Sequence, residues 1–261
     1  MKRVVAMGDI HAGHFAGLTP PAWQYRAGMG PDYMQARGAM QRECWSWYER
    51  TIAALQPVDV LLVNGDMIDG KGSRSGGTEL VTSDLRAQAD IAAACIREVK
   101  AGRIVCTHGT PYHVSADGED MEEIVADKVG ASIGGHEWVD VNGCVFDAKH
   151  KVGSSQVPHG RHTAMARERL WNQLWAEQDG APKANVILRS HVHYFAFNGD
   201  ADYLAMTLPA LQGMGSKFGS RQCSGLVHYG LVHFDVADNG SYTWMPHILK
   251  IRSARPRAVK A

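Results

Sequence analysis

Asn64-Gly65-Asp66-Met67-Ile68-Asp69-Gly70 (NGDMIDG) directly follows the apolar run Val58–Val63. Such a run reads as a buried strand, and the glycine-flanked turn after it carries two acids just beyond the strand's carboxyl end. In open α/β sheets that edge is where ligands and chemistry gather. Carboxylates buried there need cations or donors to compensate them, so the flanking chain is expected to supply metal ligands or partners.

Working outward, the same arrangement recurs. Lys2–Met7 (KRVVAM) reads as a strand ending in Gly8-Asp9-Ile10-His11, where alternation puts Asp9 and His11 on one side of an extended backbone. Arg103–Thr107 (RIVCT) is a further short strand, followed by His108-Gly109-Thr110-Pro111-Tyr112-His113. Trp138–His150 reads as a hairpin turning at Asn142-Gly143, its second strand running to His150. Asn185–Arg189 (NVILR) ends at Ser190-His191-Val192-His193. Strands are also expected near 203–208, 226–236 and 241–251, the last two joined at 238–240.

Between the strands, helical spacing predicts helices over 38–55, to about 100 after a cap at Ser83 or Asp84, over 119–128 and over 163–178. Met40, Cys44, Trp47, Tyr48, Thr51, Ile52 and Leu55 form a core stripe of the first. Trp171, Leu174 and Trp175 are expected to pack under the last. Residues 14–37, rich in Gly, Pro and aromatics, read as a long surface excursion, a candidate flap over the site. The domain expectation is one unit over 1–251 containing that 14–37 insertion, with a basic tail over 252–261 (Arg252, Arg255, Arg257, Lys260).

Composition narrows the class. A chain of 261 residues can bury a sizeable α/β core, and 45% hydrophobic with 21% charged residues is ordinary for a soluble enzyme. Net charge is zero, so no global basic field marks a dedicated nucleic-acid coat. Five scattered cysteines without C-x-x-C argue against a disulfide framework or a thiolate zinc site. No signal-peptide core and no bilayer-length apolar run is present, which gives the expectation of a cytoplasmic protein without a membrane partner.

Four strand ends bearing Asp or His, with His150 on a fifth strand, would meet at one sheet edge. Mixed carboxylate and imidazole ligands suit manganese, iron or zinc rather than calcium. The ordered motifs Asp9-x-His11, Gly65-Asp66-x-x-Asp69, a later single His and His191-x-His193 resemble those of the calcineurin-like metallophosphoesterases, over roughly residues 5–195. The resemblance implies an α/β fold, a four-layer α/β/β/α sandwich of two facing mixed sheets with helices outside. It also implies two divalent ions, manganese first, with iron and zinc as alternatives. Asp9, His11, Asp66 and His193 would hold one ion, and Asp66 would bridge to a second completed by His150 and His191. His150 is preferred over His159 and His162 because it follows a strand.

The implied activity is phosphate-ester hydrolysis by a hydroxide bridging the ions, with a histidine protonating the departing alkoxide. Two departures qualify the match. Ser190 stands where the family has Gly, and Gly109-Thr110-Pro111-Tyr112-His113 replaces G-N-H in a variant similar to that of phage and prophage members. Thr110 is therefore a substitute ligand candidate, and His113 is either a replacement ligand or the acid, a role for which His108 competes, His113 being favoured. Asp69 joins the catalytic set as a residue that orients a ligand or holds the turn. Lys217 and Arg221, after Gly213-Met214-Gly215-Ser216, are candidates for meeting a substrate phosphate.

A phosphodiesterase or nuclease acting on a nucleotide or DNA is the favoured activity. The alternatives are a phosphomonoesterase or a catalytically degenerate fold used for binding or assembly. Gly65–Lys71 also matches most of a G-x-x-x-x-G-K phosphate loop, but Gly72 replaces the metal-binding hydroxyl and two acids would face the phosphates.

Overall fold

The computed structural model describes residues 1–72, 76–111, 119–155, 157–214 and 226–253. In chain order the elements are β1 (Lys2–Met7), a 3-10 turn (Pro21–Trp23), α1 (Asp32–Leu55), β2 (Val60–Asn64), α2 (Leu85–Glu98) and β3 (Arg103–Thr107). Then follow α3 (Met121–Val129), β4 (Ser132–Gly134), β5 (Glu137–Val141), β6 (Cys144–Ala148), α4 (Gly160–Glu177) and β7 (Val186–Arg189). The last strands are β8 (Ala196–Gly199), β9 (Leu204–Thr207), β10 (Tyr229–Val236) and β11 (Tyr242–Leu249).

They form two sheets, ordered β11-β10-β1-β2-β3-β4 and β5-β6-β7-β9-β8. Within them β1-β2-β3-β4 and β6-β7-β9 run parallel, so the carboxyl ends of each set share an edge.

Strand alternation makes four layers of them. Val4, Ala6, Val60 and Leu62 face Phe146, Val186, Leu188 and Met206 in a core between the sheets. The intervening residues Val5, Met7, Leu61 and Val63 point the other way, onto α1, α2 and α3 through Tyr48, Ile52, Ile91, Cys95 and Val125. On the far side Ile187 and Ala205 pack under α4 at Ala164 and Met165. Three apolar clusters therefore separate a helix layer, two sheets and a second helix layer, the α/β/β/α sandwich expected.

That far layer also buries charge. Arg189, fully buried, donates from Nη1 to Asp147 Oδ1 (2.6 Å) and from Nε to Glu168 Oε2 (2.8 Å). His136 and Asn172 bond the same Asp147 carboxylate at 2.8 and 3.2 Å.

Several sequence expectations are corrected. Residues 14–20 are buried rather than a surface excursion. Their backbone is hydrogen-bonded inward, as in Leu18 N to Ile10 O (3.2 Å) and Phe15 N to Glu79 O (2.9 Å). Helix α1 begins at Asp32 after Pro31, six residues before its expected start at Gly38. Asp84, rather than Ser83, caps α2 by accepting from Arg86 N. Trp171 and Leu174 lie on the exposed side of α4, 47% and 38% accessible, because α4 turns Met165, Glu168 and Asn172 inward. No described helix is long and apolar enough to cross a membrane.

Candidate metal centre

The turns after β1 and β2 are zipped together. Asp9 N donates to Gly65 O and His11 N to Asp66 O, each at 3.0 Å, and Asp69 N closes back on Ala12 O at 3.0 Å. Ser190 N donates to His150 O (2.8 Å), and His191 N reaches both carboxylate oxygens of Asp9 at 3.2 Å, bringing the second sheet's edge to the first. Gly65 is required at its place: with φ of 74°, a Cβ would lie 2.6 Å from His150 Nδ1 and 2.8 Å from Gly109 Cα.

Backbone strain concentrates on the same residues. Asp9, His11, Asp66, His191 and His193 all have φ between 46° and 74°. This left-handed region costs a non-glycine residue of the order of 1–2 kcal/mol, a cost typical of functional sites.

Two sets of side chains result, the candidate ligand atoms of each lying within 4.8 Å of one another: Asp9, His11 and His193, and Asp66, His150 and His191. Asp66 stands between them. Its Oδ2 is 3.1 Å from His150 Nε2, 3.8 Å from His11 Nε2 and 4.0 Å from His191 Nδ1. Its other oxygen, Oδ1, accepts from Thr110 N (2.7 Å) and Thr110 Oγ1 (3.0 Å). One oxygen is thus held by the protein while the other faces both sets.

The imidazoles are oriented from behind. Asn64 O accepts from His150 Nδ1 at 2.8 Å, which leaves Nε2 as the lone-pair nitrogen of the neutral ring. Asp69 Oδ1 lies 3.0 Å from His11 Nδ1 and turns His11 Nε2 toward His193 Nε2, 3.3 Å away.

A bound cation fits these atoms. His150 Nε2 is buried without a hydrogen-bond partner, with Asp66 Oδ2 3.1 Å away. Electrostatics agree. Burial works against a charged His150, yet the adjacent Asp66 and Asp9 carboxylates push its pKa up to about 9. Burial likewise opposes the ionised form of Asp9, but His193 and then His150 hold its carboxyl below the usual range. His193 rises in turn, its burial outweighed by Asp9. The cluster draws positive charge, and acid–imidazole ligands are those that manganese, iron and zinc take.

The other sequence candidates fall as follows. Thr110 is placed as a donor to Asp66, where the sequence suggested a ligand oxygen. His108 belongs to neither of these sets but to a third group of candidate ligand atoms with Asp120 and Glu122, its Nδ1 3.3 Å from Asp120 Oδ2 at the start of α3. His162 is exposed and contacts Phe197 O at 3.1 Å. His113, Lys217 and Arg221 lie outside the described residues.

Sequence reasoning missed Glu122, a buried carboxylate that accepts from Met67 N (2.7 Å) and Gly109 N (2.5 Å) and so clamps the turns after β2 and β3. Its only local signal is an acid in a helix's first turn. Asn64 was also missed. Its Nδ2 spans to Ser190 Oγ (2.9 Å) and Lys149 O (3.2 Å) across the two sheets.

No protein-family model matches the chain, and no curated protein matches it. Solved structures are similar to it over nearly its whole length. An archaeal phosphodiesterase matches at 13% identity and a TM-score of 0.45, covering 94% of this chain and 99% of that one. Vps29 from Entamoeba histolytica, in complex with Zn²⁺, matches at 12% identity and a TM-score of 0.42, over 94% and 98%. A Streptococcus pneumoniae protein described as a predicted phosphoesterase matches at 12% identity and a TM-score of 0.36, over 94% and 98%.

Proposed function

We propose that the chain is a dinuclear-metal phosphoesterase acting on phosphodiesters, nucleotide or nucleic-acid diesters before simple monoesters. The observation that carries this reading is Asp66 Oδ2, which faces one set of ligands at 3.1 Å and another at 3.8 Å while Thr110 holds its partner oxygen. Asp9, His11 and His193 would hold one divalent cation and His150 and His191 a second, with Asp66 shared. Manganese is the first choice for this donor set. When bound, such cations act as Lewis acids and lower the pKa of water from about 15.7 toward about 7.

The chain's own residues prepare that chemistry. Asp69 and the Asn64 carbonyl fix the tautomers and directions of His11 and His150, so little reorganisation is needed on binding. Thr110 N and Oγ1 neutralise part of the Asp66 charge and stop the carboxylate rotating. The leaving-group proton is assigned to His113, with His108 held back beside Asp120 and Glu123.

Turnover of bis-p-nitrophenyl phosphate with manganese tests the proposal. Wild-type protein should hydrolyse it, and Asp66→Asn should lose more than about 100-fold of that rate, beyond what outer partners of a site usually cost. Unchanged turnover in Asp66→Asn, or no turnover of any phosphate ester by wild-type protein with bound metal, would contradict it. The second of those outcomes would favour a binding or assembly module.

A further inference from the structure

A second group of polar atoms without partners adjoins the H-x-H turn. Tyr194 follows His193 directly and is only 6% exposed, yet its hydroxyl has no hydrogen-bond partner. Over its ring, 4.3 Å from the centroid, sits the Arg161 guanidinium, whose buried Nε is also without a partner. Among the described residues no carboxylate pairs with Arg161, although an unpaired, partly buried guanidinium is costly to maintain.

The position is tied to the metal centre. His228 N donates to His193 O (2.9 Å) while His228 Nδ1 accepts from Phe195 N (2.8 Å), so one side chain and its backbone span residues 193–195. Tyr194 is thereby fixed on the backbone directly after a candidate ligand. Arg Nε–H can only donate, and the phenol supplies a second donor. Two adjacent unfilled donors, one of them charged, suit an anionic acceptor, and a guanidinium matches phosphate oxygens best.

We propose that Arg161 and Tyr194 form a subsite for a phosphate group adjoining the scissile one, as in an oligonucleotide or a polyphosphate chain. This rests on the phosphoesterase reading for its place beside the reaction, but the subsite binds its phosphate without the metal ions. The scissile phosphate would be met by the cations that Asp66 is proposed to share, and the guanidinium would meet the next negative charge along the chain.

Equilibrium binding of a fluorescein-labelled oligothymidylate to EDTA-treated protein tests it. Arg161→Ala should weaken binding by about tenfold or more, the range for one charged hydrogen bond. Tyr194→Phe should weaken it about threefold. That variant keeps the ring under Arg161 and removes only the hydroxyl, so it decides the matter if Arg161→Ala fails to fold. Arg161→Lys should restore part of the affinity, because it keeps the charge and loses the fork. Unlabelled oligothymidylate and tripolyphosphate as competitors identify which phosphate chain fits better.

Wild-type affinity in both Arg161→Ala and Tyr194→Phe, or no binding by wild-type protein, would overturn the subsite. Binding that depends on Arg161 in a protein that hydrolyses no ester would keep the subsite and remove the phosphoesterase reading. Hydrolysis of bis-p-nitrophenyl phosphate with oligothymidylate affinity indifferent to Arg161 would do the reverse.

Discussion

Two charged clusters lie a few residues apart along the ends of β6 and β7, and they are resolved in opposite ways. Under α4, Asp147 is met by Arg189, His136 and Asn172 at 2.6, 2.8 and 3.2 Å, so acid and base satisfy each other directly. At the rim between the sheets, Asp66 Oδ2 faces His150, His11 and His191 at 3.1, 3.8 and 4.0 Å and Asp9 faces His193 at 3.3 Å, so one carboxylate oxygen is turned toward three imidazoles at once. The carboxylate of the first cluster is met within the protein, and among the described residues only Arg189 Nη2 is left there without a partner. The second holds its ligands apart in strained backbone and so keeps room for a cation. A buried pair and a binding site can use the same residue types; geometry separates them.

The largest expected effect tests the completed cluster. Asp147→Asn leaves the buried Arg189 with Glu168 as its remaining carboxylate and should cost about 3 kcal/mol of stability, the low end for a broken buried pair, while folded protein keeps its full metal content. Burial raises the Asp147 pKa, but His136 and Arg189 outweigh it and hold the carboxyl below 3.8. A depressed pKa adds stability that is present above the unfolded value and lost as pH falls through the folded one. Wild-type protein should therefore lose this contribution below about pH 3.8, and Asp147→Asn should show a shallower acid dependence by chemical denaturation. An equal acid slope in both would mean that Asp147 is not the paired group described.

Next in size is the support behind the open cluster. Asp69→Ala removes the acceptor that directs His11 and should weaken manganese binding by about 10–100-fold, with little change in melting temperature. Unchanged affinity by calorimetry would reduce Asp69 to a turn residue.

The smallest effect concerns Ser190, which joins Arg189 of one cluster to His191 of the other. Its Oγ accepts from Asn64 Nδ2 at 2.9 Å and lies 2.7 Å from where a Cβ on Gly8 would stand. Ser190→Gly should cost about 1 kcal/mol. Gly8→Ala should cost more in wild-type protein than in the Ser190→Gly background, a coupling that a double-mutant cycle measures.

These residues also show what the sequence could reveal. Asp9, His11, Asp66, His150, His191 and His193 each follow an apolar run, and parallel strands bring such ends together, so the rim was legible from local pattern. The partners that decide geometry were not. Asp147 and Arg189 are 42 residues apart, and Asn64 and Ser190 are 126 apart, with nothing in either segment announcing the pairing. Strands β4 and β8, of three and four residues, are too short to show a period. Residues 14–20 look like a loop by composition, and only their inward backbone bonds place them in the interior. The orphan donors of Arg161 and Tyr194 are likewise a property of packing alone.

The central claim is that Asp66 is shared between two cations, and manganese titration followed by electron paramagnetic resonance tests it most directly. Wild-type protein should bind two manganese ions per chain and give the spectrum of an exchange-coupled pair, which Asp66→Asn abolishes. A single ion per chain, or two that remain magnetically independent and indifferent to Asp66→Asn, would contradict it.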